Sequence, residues 1–216
     1  KACEEIRGKI VKKASEYLNC DKETLEFDGK RVFQPEGNLE ISLKDIGNQI
    51  MCCNDDTISA GATHTSNVSP PPFMVGMAEI ELDKETGTVE MVDYVAVVDC
   101  GTTVNPNLAR VQTEGGIAQG IGMALYEEIS YTEKGQLREN SFMQYKLPTR
   151  MDVGDIRVEF ESSYEPTGPF GAKSIGEIVI NTPSPAIANA VANASGVYVR
   201  TLPITAEKIY QGMKNK

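Results

Sequence analysis

The ten residues from Gly168 to Glu177 combine one carboxylate with an unusually free backbone. They read Gly-Pro-Phe-Gly-Ala-Lys-Ser-Ile-Gly-Glu, and an apolar Ile-Val-Ile run follows directly. Glycine lets a backbone approach a ligand closely, and a loop carboxylate beside apolar residues is able to serve as a general base. A structural interpretation competes, in which Glu177 caps a helix or pairs with Lys173. Spacing alone favours the structural interpretation.

A glycine-rich stretch, residues 112–122, offers a second candidate site. It begins at Gln112 and contains four glycines within eight residues. Because each helical glycine costs about 1 kcal/mol relative to alanine, we expect close contacts that offset this cost. The partner is another backbone or a flat ligand, and packing alone would account for the glycines. The stretch lacks both the G-x-G-x-x-G pattern and a Walker lysine, so it is not a classical phosphate loop.

Histidine and cysteine offer no metal-binding pattern. The sequence contains one histidine, His64, and five cysteines without a C-x-x-C pair. This set lacks zinc or iron–sulfur spacing, and no hydrolase motif surrounds His64, so we predict an exposed loop position for it. Adjacent cysteines rarely reach disulfide geometry, so Cys52 and Cys53 are predicted to be core thiols. Unpaired thiols favour a reducing cytoplasm.

The net charge and the short apolar stretches of the sequence exclude two classes of partner. The chain has 216 residues, 40% of them hydrophobic, with 31 acidic and 21 basic side chains and a net charge of −10. This charge repels nucleic-acid phosphates, and the apolar stretches are shorter than the ~20 residues of a membrane helix. We therefore expect a cytoplasmic protein with neither nucleic-acid nor membrane partners. The start at Lys1, inside a helical pattern, indicates a fragment or a processed subunit.

Local patterns predict the elements of the first third of the chain. Apolar residues four apart predict a helix over residues 2–18. Asp28-Gly29 predicts a tight hairpin between strands 25–27 and 31–33. Ser42 with Asp45 resembles a capping box and predicts a helix to about Cys52. A loop is predicted from Asn54 to Pro72, because that segment lacks any periodicity.

The rest of the chain predicts strands that alternate with helices. Two antiparallel strands are predicted at 73–82 and 88–99, the second central because it is apolar on both faces. Asn105-Pro106 predicts the start of a helix to about Glu127. The predicted buried side of this helix comprises Leu108, Val111, Ile117, Ile121 and Leu125.

Further predicted elements are strands at 131–132, 142–147 and 156–161, a short strand after Gly171, and helices at 185–194 and from Thr205. The fold class is therefore α+β, with intertwined mixed sheets and packed helices. With no repeat and no linker, we expect residues 1–216 to form one unit.

The same segments resemble the molybdopterin-binding subunit of the xanthine dehydrogenase and aldehyde oxidoreductase family. The resemblance covers roughly residues 73–210, with the opening helix also fitting, and corresponds to the C-terminal portion of the molybdenum domain. The stretches that carry it are Val97-Val98-Asp99-Cys100-Gly101, Val104-Asn105-Pro106, Val111-Gln112-Thr113-Glu114-Gly115-Gly116, Gln119-Gly120-Ile121-Gly122, Leu125-Tyr126-Glu127-Glu128, Gly171-Ala172-Lys173-Ser174-Ile175-Gly176-Glu177 and Pro185-Ala186-Ile187-Ala188-Asn189-Ala190.

The resemblance implies a reaction and roles for individual residues. The family hydroxylates an electron-poor carbon with water, at molybdenum held by the dithiolene of a pterin. Glu177 would be the catalytic base that takes a proton in this step. Gln112 would contact the cofactor near the metal through its amide. Lys173, Ser174 and Gly176 would touch cofactor or substrate, and no protein side chain would ligate the metal.

The resemblance also implies partners that this chain does not contain. They are the N-terminal half of the molybdenum subunit and the 2Fe-2S and FAD domains or subunits that remove electrons. The favoured substrate is a purine, xanthine or hypoxanthine, with aldehydes and nicotinate-like rings as alternatives. Whether the pterin carries a cytosine dinucleotide is left open. Outside catalysis, the alternative is a structural or interaction fragment in which Glu177 is only a structural anion.

Overall fold

The computed structural model describes residues 1–53 and 57–215. The chain divides into two compact units, residues 1–65 and 66–216, whereas the sequence suggested a single intertwined unit. The physical reason is that each unit buries a separate apolar cluster. The predicted α+β class is confirmed, because both units combine helices with an open three-stranded sheet.

The first unit packs two helices against a small antiparallel sheet. Helix α1 is Ala2–Leu18 and helix α2 is Leu43–Cys52, both as predicted. The strands β1 (Glu26–Phe27), β2 (Arg31–Phe33) and β3 (Glu40–Ser42) pair in the order β1-β2-β3. Gly29 turns the first hairpin with a φ of 94°, a conformation that L side chains rarely adopt.

The start of helix α2 shows the predicted cap. The Ser42 hydroxyl accepts a hydrogen bond from the Asp45 amide at 3.1 Å. The core of this unit comprises Ile10, Ala14, Leu25, Val32, Ile41 and Ile46. Cys52 and Cys53 are exposed at the end of α2, so their prediction as core thiols is wrong. They follow the last buried residue of α2, Ile46, and therefore lie beyond its packed part.

The second unit is built on a three-stranded mixed sheet. Strands β4 (Phe73–Leu82) and β5 (Val89–Asp99) are antiparallel, and β6 (Asp155–Phe160) runs parallel to β5. The predicted central position of β5 is therefore confirmed. One face of β5 buries Tyr94, Ala96 and Val98, while Val97 on the other face remains 39% exposed.

Four helices complete the second unit. Helix α3 is Pro106–Leu125, α4 is Ile178–Asn181, α5 is Pro183–Ser195 and α6 is Ala206–Lys214. Helix α5 packs on β4, and α3 packs on both α4 and α5. The predicted caps are present, since the side chains of Asn105 and Thr205 accept backbone hydrogen bonds at the starts of α3 and α6.

Several predicted strands and boundaries are wrong. Residues 142–144 form a turn in which the Gln144 amide donates to the Ser141 carbonyl, and residues 145–147 are irregular. Tyr131 makes only an isolated bridge to Leu137. The short strand predicted after Gly171 is helix α4, which packs against a glycine surface on α3 and so overrides the β-branched preference of its residues. Helix α3 ends two residues earlier than predicted, and α5 starts two residues earlier.

The long loop between the second helix and β4 is confirmed where it is described. Residues 57–72 contain no helix or strand, and His64 is exposed as predicted. The first part of the predicted loop, Asn54 to Asp56, lies outside the described residues. Across the described parts of the chain, no helix is both long and apolar enough to span a bilayer.

Candidate functional site

One face of helix α3, the packed face, consists of small and apolar residues that pack against helices α4 and α5. A Cβ on Gly116 would lie 2.2 Å from Val179 Cγ2 of α4, and one on Gly120 would lie 2.7 Å from Pro183 Cγ of α5. These distances are too short for any side chain, so both glycines are required by close packing. The packing interpretation of the glycine-rich stretch is correct for this face.

The open face of the same helix carries different residues. Leu108 and Val111 are 67% and 65% exposed, so their predicted burial is wrong, whereas Ile117 is fully buried as predicted. At about 100° per residue, nine residues separate Leu108 and Ile117 by half a turn, so both cannot face the core. Leu108 falls instead on the same side as Gly115, where a Cβ would meet no heavy atom within 4 Å among the described residues.

Backbone hydrogen bonds join the loop after β5 to the loop that precedes Glu177. The Lys173 amide donates to the Cys100 carbonyl at 2.7 Å, and the Thr102 amide donates to the Gly171 carbonyl at 2.8 Å. Gly101 has a φ of 68°, and a Cβ there would lie 2.3 Å from the Gly171 oxygen. The end of β5 therefore holds the loop that leads to Glu177.

Gln112 links helix α3 to this loop. Its side-chain Nε2 donates to the Gly176 carbonyl at 3.0 Å, across 64 residues of sequence. The structure thus brings together three of the residues singled out from the sequence, Gln112, Gly176 and Glu177, which all line one groove. Ser174 is exposed on the loop between Lys173 and Ile175.

The Glu177 carboxylate does not have the structural roles proposed as alternatives. Glu177 precedes the first residue of α4 but makes no side-chain capping hydrogen bond. Lys173 pairs with Asp99 instead, with Nζ 2.5 Å from Oδ2. Within the described residues, the Glu177 carboxylate has no hydrogen-bond or salt-bridge partner, and the residue is exposed. The carboxylate is therefore available to a ligand or to a proton.

Lys173 and Asp99 form a largely buried ion pair where the Glu177 loop meets the end of β5. The Lys173 side chain is 7% exposed, and Asp99 also accepts hydrogen bonds from the Ser163 hydroxyl at 2.6 Å and the Gly101 amide at 3.0 Å. The hydrogen bond from Lys173 and then that from Ser163 lower the pKa of Asp99 from 3.8 to about 2. Asp99 is thus fully ionised at neutral pH.

A groove lies beside Glu177 on the open face of α3. It measures about 410 Å³ and runs along the open face of α3 past Gly115 and Gln119. A neighbouring, mostly apolar groove of about 550 Å³ shares Gln112 and Gly176 with it and includes Leu108. Neither Gly115 nor Gly176 has a heavy atom within 4 Å of a Cβ position among the described residues, so side chains there would fill space that is now open.

Sequence reasoning gave no role to two residues of this site. Asp99 follows the apolar run 95–98 at the end of a central strand, and a charge in that position was the available signal. Gln119 lies seven residues, or two helical turns, after Gln112 and so shares its face. Among the described residues, no group of three or more His, Cys, Asp or Glu side chains is arranged to hold a metal.

A family model matches most of the chain, including helix α3. The model described as "Molybdopterin cofactor-binding domain" matches residues 1–154, which include Gln112 and end before the loop that carries Glu177. Longer matches cover that loop as well. The gamma subunit of the 6-hydroxypseudooxynicotine dehydrogenase complex of Paenarthrobacter nicotinovorans is 35% identical over 97% of this chain and 28% of its own length.

One further curated relative and one solved structure also match most of the chain. The xanthine dehydrogenase molybdenum-binding subunit of Escherichia coli O157:H7 is 34% identical over 83% of this chain and 24% of its own length. The crystal structure of quinoline 2-oxidoreductase from Pseudomonas putida 86 superposes with a TM-score of 0.78, at 28% identity over 98% of this chain and 28% of that chain. The chain thus spans less than a third of the length of each relative.

Proposed function

The chain belongs to the family of molybdopterin cofactor-binding domains, and from this premise we propose that it supplies one side of the active site of a molybdenum hydroxylase. Residues 1–216 would be the C-terminal portion of the molybdenum domain. The observation that carries the proposal is the Glu177 carboxylate, which has no partner among the described residues, in a groove bordered by Gln112, Gly115 and Gly176.

The residues present fit a pterin-held metal in their chemistry. The groove offers an amide, open glycine positions and one carboxylate, rather than a set of metal-ligating side chains. When bound, the molybdenum–pterin group supplies the centre at which oxygen from water is activated and electrons are accepted. Gln112, Ser174, Gly176 and the backbone of Lys173 are the proposed cofactor contacts of this chain, since the Lys173 ammonium group is paired with Asp99.

Glu177 is the proposed catalytic base. Among the described residues its carboxylate has no capping hydrogen bond and no ion pair, so it can accept a proton without first breaking any of these contacts. A base within hydrogen-bond reach accelerates such a step by about 10²–10⁴-fold. The side-chain amide of Gln112 has two roles. Its Nε2 donates to the Gly176 carbonyl and so holds the loop, while its Oε1 can accept a hydrogen bond from a ligand.

The proposed substrate is a nitrogen-containing aromatic ring, with xanthine or hypoxanthine favoured. The names of the relatives include xanthine and quinoline, which are both nitrogen heterocycles, and the mostly apolar second groove suits a flat ring. An aldehyde is the second candidate substrate, supported by an aldehyde oxidoreductase of Megalodesulfovibrio gigas that is 32% identical over 72% of this chain.

The proposed partners follow from the length of the relatives. The N-terminal half of the molybdenum subunit would complete the cofactor site, and 2Fe-2S and FAD domains or subunits would carry electrons away. Because a relative is a subunit of a dehydrogenase complex, we expect this chain to act only within a complex.

Metal and pterin analysis of the complete complex, combined with one substitution, tests the proposal. We expect molybdenum and pterin in proportion to this chain. Glu177→Gln is expected to keep both while xanthine turnover falls by about 10²–10⁴-fold, since the amide cannot take the proton. Glu159→Gln, at an exposed position of β6, is the matched control and should leave turnover unchanged.

Two results would overturn the proposal. A complex without molybdenum would leave a structural or interaction fragment, and full turnover in the Glu177→Gln complex would remove Glu177 from the mechanism. Oxidation of an aldehyde but not of xanthine, hypoxanthine or quinoline would replace the favoured substrate class while keeping the base.

A further inference from the structure

Lys173 borders the second groove but not the groove beside Glu177, and its side chain lies in a nearly closed environment. Its side chain is 7% exposed, its Nζ lies 2.5 Å from Asp99 Oδ2, and the Phe73 ring centroid lies 5.2 Å away. A buried ammonium group is costly unless it is paired, so these contacts determine where Lys173 lies. The ammonium group points toward the end of β5 rather than toward Glu177.

Asp99 uses both carboxylate oxygens to join three segments. One oxygen accepts from Lys173, and the other accepts from the Ser163 hydroxyl and the Gly101 amide. Asp99 itself ends the central strand β5, which is fixed on both sides by β4 and β6. The carboxylate therefore connects the Glu177 loop to the end of the central strand of the sheet.

The loop between Lys173 and helix α4 is anchored on both sides of Glu177. On one side, Lys173 is fixed by Asp99, and the Gly176 carbonyl is fixed by Gln112. On the other side, Val179 is 1% exposed and packs against Gly116. With the loop anchored on both sides, the Glu177 backbone keeps its position beside the groove, although the carboxylate has no partner of its own among the described residues.

We propose that Asp99 and Lys173 act together as a positioning pair for the Glu177 loop, so that Lys173 serves the site through Asp99 rather than by contacting the substrate. The inference rests on the proposed role of Glu177 and adds two positioning residues to it. A misplacement of about 1 Å at a reacting group costs up to about 100-fold in rate, so a salt bridge four residues away has a measurable effect.

The same strand provides a matched control. Asp93 of β5 pairs with Arg157 of β6, whose side chain is 66% exposed. This pair joins two strands of the same sheet and makes no contact with the loops at 100–102 or 171–177. Asp93→Asn therefore removes an Asp-to-cation pair from β5 without removing an anchor of the Glu177 loop.

The experiment compares four variants of the complete complex: Asp99→Asn, Lys173→Met, the double variant Asp99→Asn/Lys173→Met, and Asp93→Asn. Amide hydrogen exchange is measured by mass spectrometry over peptides that contain residues 100–103 and 171–177. Molybdenum and pterin contents are measured on the same samples, and kcat and KM are measured with xanthine.

A positioning role predicts a specific pattern. The single variants and the double variant all show exchange about tenfold faster at the Thr102 and Lys173 amides, with molybdenum and pterin retained. Their kcat falls about 10- to 100-fold, while KM changes by less than about twofold. The double variant, which leaves no unpaired buried charge, recovers thermal stability but not kcat. Asp93→Asn leaves the exchange of both peptides unchanged.

Three results would overturn the inference. Loss of molybdenum in Lys173→Met but not in Asp99→Asn would make Lys173 a cofactor ligand. Recovery of kcat together with stability in the double variant would make the pair purely structural, and unchanged exchange in Asp99→Asn would show that the loop does not depend on it. If Glu177→Gln keeps full turnover, the proposed function fails, but the exchange data still decide whether the pair holds the loop.

Discussion

Helix α3 has two faces that contain glycine for opposite reasons. On the packed face, Gly116 and Gly120 lie where any Cβ would collide with Val179 or Pro183. On the open face, Gly115 lies where a Cβ would meet no described heavy atom within 4 Å, beside Gln112 in the groove. The packed face is therefore explained by the fold, whereas the open face is not. We propose that the open space on this face, which lies beside Gln112 and Glu177, is a binding site.

The two faces are connected through the Glu177 loop. Val179, two residues after Glu177, fills the space above Gly116, while the Gly176 carbonyl, one residue before Glu177, is bound by Gln112. The packed face thus fixes one side of the loop and the open face fixes the other. Substitutions on the two faces should separate stability from cofactor binding.

The largest expected effect on stability is that of Gly116→Ala. The added methyl would lie 2.2 Å from Val179 Cγ2, and Val179 is 1% exposed and cannot move away freely. Overpacking strain of up to about 3 kcal/mol exceeds the gain of about 1 kcal/mol in helix propensity, for a net loss of about 2 kcal/mol. Calorimetry of the complete subunit measures it, with Gly8→Ala on helix α1 as control. Equal midpoints for the two variants would contradict the assignment of a packed face.

Acid is expected to loosen the loop before it affects the packed face. The pKa of Asp99 is lowered from 3.8 to about 2 in the folded chain, chiefly by its hydrogen bond with Lys173. The pair therefore contributes its full stabilisation above pH 4, and this contribution is lost as the pH falls through about 2. Amide exchange, corrected for the intrinsic effect of pH, should lose protection at Lys173 in this range while Ile117 and Ile121 keep theirs. Simultaneous loss at all three amides would argue against a separate anchor.

The smallest expected effect is a gain in stability from Gly115→Ala. The methyl group meets no described atom, so the substitution removes only the conformational cost of a helical glycine. The expected gain is about 0.5–1 kcal/mol in the free energy of unfolding of the cofactor-free subunit. A loss of stability would show that Gly115 belongs to the packed face.

Local chemistry made much of the fold predictable. Helix caps at Ser42, Asn105 and Thr205, the Asp28-Gly29 turn, and the long strands β4 and β5 are all encoded by neighbouring residues. The structure of segment 142–147 was predicted wrongly. Its apolar residues alternate as in a strand, but it pairs with no strand among the described residues. Likewise, Ile178-Val179-Ile180 reads as a strand locally, yet tertiary packing on Gly116 makes it helical.

The candidate site was predictable in its residues but not in its connections. Glu177 and Gln112 stand out by their glycine-rich surroundings, whereas the hydrogen bond from Gln112 to Gly176 spans 64 residues and needs the three-dimensional fold. The main error concerned the partner of Lys173. Sequence proximity suggested an ion pair with Glu177, whereas Lys173 pairs with Asp99, which lies 74 residues away at the end of β5. The apolar exposure of Leu108 and Val111 was also missed, because the pattern alone does not show which face of α3 is covered.

The most direct test of the central claim is the molybdenum and pterin content of the complete subunit with Gly115→Leu, compared with Gly8→Leu. Both glycines lie inside helices with open space at the Cβ position, but only Gly115 lines the groove. If the open face of α3 receives the cofactor, Gly115→Leu lowers its content at least about tenfold, equivalent to about 1.4 kcal/mol, and Gly8→Leu retains it. Full cofactor content in the Gly115→Leu subunit would contradict the claim that this groove is the cofactor site.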